Sequence, residues 1–170
     1  MIIRDYKEKD FKKVVQLIQN IQETDCWPEV YPMGWSEKKV KNEFAPIAKY
    51  QSPLFLIAEE NNKLVGLIAG HEFMEFAQHE LPHIENKFAT YGIFHYYQRD
   101  IIIHPNFQGR TTAPRLNKKL ESHAKNCGYH KIITRTPPQN QKGIKFFNRL
   151  GYKESLRDTN PERIYFIKDL

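Results

Sequence analysis

The chain has 170 residues, enough for one domain with its own core, and its 27% charged and 13% aromatic side chains exclude a disordered or fibrous chain. No apolar run approaches the roughly 18 residues of a membrane span, and the N-terminus lacks a basic start followed by an apolar run, so no signal peptide and a cytoplasmic protein are expected. The net charge of +6 is unevenly spread: residues 1–103 hold 12 Lys+Arg against 15 Asp+Glu, whereas residues 104–170 hold 14 against 5, which suits solvated helix faces, a polyanionic cofactor or nucleic acid.

Residues 2–6 read as a strand. Phe11, Val14, Val15, Ile18 and Ile21 fall at helical spacing and predict a helix over 8–22. Cys26 and the loop WPEVYPMGW, residues 27–35, follow. Ser36 is placed to cap a helix over 37–49 carrying Val40, Phe44 and Ile47, which Pro46 kinks or ends. Strand-like runs at 54–59 and 64–71 flank Asn61-Asn62, a good hairpin turn. Residues 75–94 are polar and show no period. A strand over 96–103, a helix over 112–126 ended by Gly128, and a strand over 131–136 come next. A short helix over 140–150 ends at Gly151, and strands at 152–156 and 163–168 close the chain. The two cysteines, Cys26 and Cys127, form no close pair and are expected as free thiols. The order β-α-α-β-β-β-α-β-α-β-β predicts a single α/β domain, residues 1–170, around one mixed sheet.

The stretch IIIHPNFQGRTTAPRL, residues 101–116, reads as strand, sharp turn and helix start. The glycine fingerprints of nicotinamide and ATP sites are absent from the sequence. A helix N-terminus nevertheless presents unpaired N–H groups and the positive end of its dipole to an anion. Pro114 suits the first turn, and Thr111 and Thr112 are candidates to cap the helix or to donate hydroxyls to a phosphate.

In its motifs the chain resembles the GNAT superfamily of acyl-CoA-dependent N-acyltransferases. That family ends a strand in hydrophobic-x-Pro and opens a helix with Gln/Arg-x-x-Gly-x-Gly/Ala; here stand Ile103-His104-Pro105 and Gln108-Gly109-Arg110-Thr111-Thr112-Ala113. The first motif glycine is Thr111, a departure. Further on, Asn140 and the run Phe147-Asn148-Arg149-Leu150-Gly151-Tyr152 follow the family's second pattern. The resemblance implies a mostly antiparallel mixed sheet flanked by about four helices, and acetyl-CoA as cosubstrate with no metal. It implies that amides from Gly109 to Ala113, through Arg110, Thr111 and Thr112, hold the pyrophosphate, with Gln108 opening the loop. The strand edge Ile101, Ile102, Ile103 would pair with the pantetheine amides and polarise the thioester, and Asn140 and Phe146 would meet the pantetheine arm. Lys145 and Arg149, an i, i+4 pair, would reach the 3′-phosphate. The Cβ of Thr111 is expected to crowd the pyrophosphate or to force a slightly different loop, leaving binding retained but weakened, so that Thr111→Gly tightens it.

N-acylation needs a neutral amine, an oxyanion donor and a proton for the leaving thiolate. Many family members use a Tyr of the last helix for that proton; the matching residue here is Phe147, which has no hydroxyl. Tyr152 is the nearest phenol in sequence and a candidate acid. Gln98, Arg99 and Asp100 interrupt a strand otherwise made of Tyr and Ile, so Asp100 is the first candidate base, or the partner of a salt bridge with Arg99. Glu72, at the end of the preceding strand, is the second. Trp27, Tyr31 and Trp35 are a candidate lid or substrate wall. HELPH, residues 79–83, matches the zinc pattern H-E-x-x-H, but Pro82 between the two histidines argues against the helix that pattern needs.

The expected reaction is acetyl transfer to an amine of a small molecule or protein. The alternatives are a non-catalytic acyl-CoA-binding regulatory module and an acyltransferase acting on aminoacyl-tRNA. Nucleic acid is the less favoured partner, because basic and aromatic residues do not interleave as a base-stacking surface requires. No membrane partner is expected; a homodimer is compatible with the sequence.

Overall fold

The computed structural model describes residues 1–22, 36–74, 77, 95–159 and 162–170. Among the described residues seven strands form one sheet: β1 (Ile2–Asp5), β2 (Leu54–Glu60), β3 (Lys63–Glu72), β4 (His95–Ile103), β5 (Lys131–Thr136), β6 (Lys153–Thr159) and β7 (Glu162–Asp169). Their order is β1-β2-β3-β4-β5-β7-β6. Every neighbouring pair is antiparallel except β4 and β5. The described helices are α1 (Phe11–Gln22), α2 (Glu37–Phe44), α3 (Thr112–Asn126) and α4 (Gln141–Arg149).

Local chemistry explains most boundaries. Ser36 Oγ accepts the Lys39 N–H at 3.2 Å and starts α2. The helix expected over 37–49 ends as α at Phe44 and continues as a 3₁₀ turn, Ala45–Lys49, where Pro46 cannot serve an α ladder. The helix expected from residue 8 likewise opens with a 3₁₀ turn, Glu8–Asp10. Asn61 and Asn62, with φ of 51° and 62°, make the tight β2–β3 turn.

Two layers sandwich the first half of the sheet. On one face Val14, Leu17, Ile18 and Ile21 of α1 and Val40 and Phe44 of α2 pack on Ile57, Leu67 and Ile102. On the other, Leu116, Leu120 and Ala124 of α3 and Phe147 of α4 share a cluster with Leu56, Ile68, Tyr96 and Ile132. Covered on both faces, β3 is buried from Leu64 to Glu72. Gly70 is needed there: a Cβ would stand 2.6 Å from Tyr96 Cε1 and 2.7 Å from the Tyr97 carbonyl oxygen.

The loop 27–35 and HELPH lie outside the described residues, as does nearly all of the polar stretch 75–94. No described helix is long and apolar enough to cross a membrane.

Candidate active site

The sheet opens where its single parallel pair ends. β4 and β5 are in register only from His95↔Lys131 to Tyr97↔Ile133. Beyond that point the two strands part, and β4 carries a bulge: Asp100 faces Ala69 and Gln98 faces Gly70, leaving Arg99 extra. The free edge of β4 follows from its pairing with β3. His104 N–H donates to the Val65 carbonyl at 2.9 Å. Antiparallel alternation then turns the main-chain groups of Ile102 and Asp100 toward β3, and those of Ile101 and Ile103 toward the opening. The Ile103 carbonyl is already taken, by Gln108 Nε2 at 3.2 Å. Ile101 therefore presents both its N–H and its C=O to the opening, and Ile103 presents its N–H.

The loop after β4 leads from this edge to the N-terminus of α3. Pro105–Phe107 forms a 3₁₀ turn, and Gly109 takes φ of +73° with nothing near its Cβ position. The first helical N–H to find a main-chain partner is that of Arg115, on the Thr111 carbonyl at 3.0 Å. The donors before it, together with the helix dipole, suit an anion. Two expectations change here. Thr111 sits at the N-cap without a side-chain capping bond, and Thr112 is buried as the first helical residue. Nor does position 111 need glycine: its φ of −79° and ψ of −5° are ordinary helical values, and its side chain is exposed. The loop's one left-handed residue is Gly109. Gln108 ties the loop to β4 through its side chain, and Arg110 stacks its guanidinium 5.2 Å from the Phe107 ring.

The bulge sends two polar side chains together. Arg99 Nη2 bonds Glu43 Oε2 of α2 at 2.7 Å, and Asp100 Oδ2 lies 3.4 Å from Arg99 Nε. The salt bridge weighed for Asp100 is thus present, while the carboxylate stands where the sheet opens. Glu72 has a local task, since its Oε1 accepts the Met74 N–H at 2.6 Å. Beside it, His71 is fully buried and stacks on Tyr50; burial pushes its pKa down to about 4.

Below the opening, on the α3 side, lies a buried polar group that the sequence did not reveal. Tyr152 Oη lies 3.1 Å from Gln98 Oε1 and 3.3 Å from Asn117 Oδ1. All three residues are no more than 2% exposed. Burial drives the Tyr152 phenol well above its usual pKa, so it stays protonated. The sequence signal was slight: Asn117 is a polar residue next to Leu116 on the apolar face of α3. Phe147, buried, touches Tyr152 with ring centroids 5.5 Å apart.

On α4, Asn140 caps the helix by accepting the Gly143 N–H at 2.9 Å and donates to Thr136 Oγ1 at 2.9 Å. Phe146 is half-buried against the core, and Lys145 and Arg149 are exposed. Among the described residues no cluster of His, Cys, Asp and Glu is suited to hold a metal ion. A cavity of about 470 Å³ lies elsewhere, between α1, α2 and the start of β2, walled by Tyr6, Phe11, Phe44 and Phe55.

A sheet splayed at one parallel pair leaves a bare strand edge running to a helix N-terminus, a frame suited to a ligand with amides along its length and an anion at its end. More particularly, the family described as "Acetyltransferase (GNAT) family" matches residues 20–152, and the chain belongs to it. Solved structures share the fold at low identity. An N-acetyltransferase from Staphylococcus aureus Mu50 superposes with a TM-score of 0.73 at 16% identity, over 99% of this chain and 97% of that one. The PaiA N-acetyltransferase from Thermoplasma acidophilum, in complex with coenzyme A, gives 0.70 at 16%, over 99% and 98%. YncA, a putative acetyltransferase from Salmonella typhimurium with its cofactor acetyl-CoA, gives 0.69 at 16%, over 99% and 93%.

Proposed function

We propose that this chain is an N-acetyltransferase that moves an acetyl group from acetyl-CoA to a primary amine of a small molecule or a protein. The observation that carries the reading is the free main-chain edge of Ile101 and Ile103, which leads directly to the N-terminus of α3. An acyl donor with amides in its arm and phosphates at its end needs these two features in this order. Acetyl-CoA supplies the activated thioester and the thiolate leaving group.

This chain's residues do the rest. The Ile101 N–H and C=O and the Ile103 N–H bind the amides of the arm, and an N–H of this edge polarises the carbonyl under attack. The amides from Gly109 to Ala113 hold the pyrophosphate without any side-chain charge. Lys145 and Arg149 reach the 3′-phosphate, and Phe146 and Asn140 border the arm from α4. Asp100 takes the proton that the attacking amine loses, directly or through one water. Glu72 is the weaker candidate, because its carboxylate already accepts a main-chain N–H. With Phe147 lacking a hydroxyl, the leaving thiolate takes its proton from water.

Calorimetric titration with acetyl-CoA, with inorganic phosphate as control, tests the donor. Micromolar binding of acetyl-CoA alone is expected, and none would refute the reading. Turnover with a panel of amines then separates an enzyme from a module that only binds. Asp100→Asn should lower kcat/KM at least tenfold. Unchanged turnover removes Asp100 as the base.

A further inference from the structure

The basic surplus of the second half of the sequence is not scattered over the fold. Between residues 104 and 151 the chain has 10 Lys+Arg and a single acid, Glu121. Glu121 is engaged by Lys168 Nζ at 2.6 Å. Arg115, Lys118, Lys119 and Lys125 are exposed and share one stripe of α3, opposite its buried Leu116, Leu120 and Ala124. Lys142 is exposed on α4, which contains no acid and packs on the same side of the sheet. Among the described residues none of these five cations lies within 4.0 Å of a carboxylate. Helix surfaces ordinarily intersperse both signs.

The donor's phosphates do not account for the whole stripe. At 1.5 Å per residue, Lys125 stands roughly 20 Å along the axis from Thr112, against a screening length of about 8 Å at physiological salt. Lys125 therefore contributes little to an anion at the helix N-terminus. Arg115 to Lys125 spans about 15 Å of helix axis, the four cations spread over roughly a third of the circumference.

We propose that the α3–α4 surface binds the phosphate backbone of a double-stranded nucleic acid. The alternative, an acidic protein, fits less well. Protein interfaces are built around an apolar or aromatic centre and are depleted in Lys. The only large hydrophobic side chain that is exposed among the described residues is Ile2, in β1. A phosphate backbone needs charge and no apolar centre. The missing aromatic interleaving, which disfavours base stacking, is no obstacle to backbone contacts. The inference is independent of acetyl transfer: Lys118, Lys119 and Lys125 lie beyond the donor site, while Arg115 borders it.

The test is fluorescence anisotropy with a labelled 24-base-pair DNA duplex of arbitrary sequence, from 50 to 200 mM salt. Five contacts, Lys142 included, predict a plot of log K against log salt with a slope of about −4.5. The K118Q/K119Q/K125Q variant should bring it to about −1.8, and K118E/K119E/K125E should weaken binding at 50 mM salt more than tenfold. Thermal melting checks the fold of both variants. Wild-type duplex affinity should persist at saturating acetyl-CoA, and acetyl-CoA titration of the variants should match wild type. Absence of saturable binding at 50 mM salt, or unaltered binding by both variants, overturns the proposal. So does displacement of the duplex by acetyl-CoA, which would make the stripe part of the donor site. Equal competition by polyglutamate would overturn it in favour of an acidic protein partner. Failure of the acetyl-CoA titration alone would instead refute the acetyltransferase reading and leave the duplex result intact.

Discussion

Replacing Tyr152 with Phe removes one oxygen and separates two roles for that residue. In the fold the hydroxyl stands 3.1 Å from Gln98 Oε1 and 3.3 Å from Asn117 Oδ1, with all three side chains buried. The hydroxyl has a single proton, so one amide oxygen accepts it and, in the variant, loses that partner where water does not reach. An unsatisfied buried group costs about 1–3 kcal/mol, and Tyr152→Phe should cost as much. For a chain of 170 residues that is a fall in Tm of roughly 2–12 °C. Melting by circular dichroism measures it. Steady-state acetyl transfer, taken well below the lowered Tm, should keep kcat within about threefold of wild type, with an unshifted pH profile. The physical reason is that the hydroxyl is engaged between β4 and α3 and buried deeply enough to hold its proton. A hundredfold loss of kcat with an unchanged Tm would refute this reasoning and make Tyr152 the acid for the leaving thiolate.

Asn140→Ala removes the α4 cap and the bond to Thr136, and should destabilise by about 1–2 kcal/mol while raising the Kd for acetyl-CoA less than threefold. A tenfold rise in Kd without a change in Tm would show direct contact with the pantetheine arm. Thr111→Gly should alter acetyl-CoA affinity less than threefold, because φ at this position is already ordinary and the residue is exposed; clear tightening in calorimetry would show that the Cβ crowds the phosphates after all. His71 is buried with its pKa lowered from 6.5 to about 4. The unfolded chain therefore binds the extra proton first as pH falls. Stability from this residue is complete above pH 6.5 and is lost between there and pH 4, by about 3 kcal/mol. Urea titrations at pH 7 and pH 4.5 should show that loss in wild type and a smaller one in His71→Phe; equal losses would refute it.

Much of this protein was legible in local sequence signals. The helix over 112–126 and the strand over 131–136 have the boundaries that periodicity and Gly128 indicate. The hairpin at Asn61-Asn62 and the cap at Ser36 are likewise short-range chemistry. So is the loop from Gln108 to Ala113, whose glycine and helix start lie within one turn of each other. Tertiary structure decided the rest. Whether β4 and β5 part after Tyr97 depends on which strands neighbour each other, and no periodicity encodes that. The bulge at Arg99 is a mismatch between two strands, invisible in either one alone. Tyr152 meets Gln98 across 54 residues, so the phenol that the sequence offers as an acid is found within a buried polar group. The basic surplus was countable from the start; that α3 and α4 carry it to the same side of the sheet was decided by packing. Side-chain periods tell which face of an element is buried. Packing alone selects the partner, and with it the chemistry.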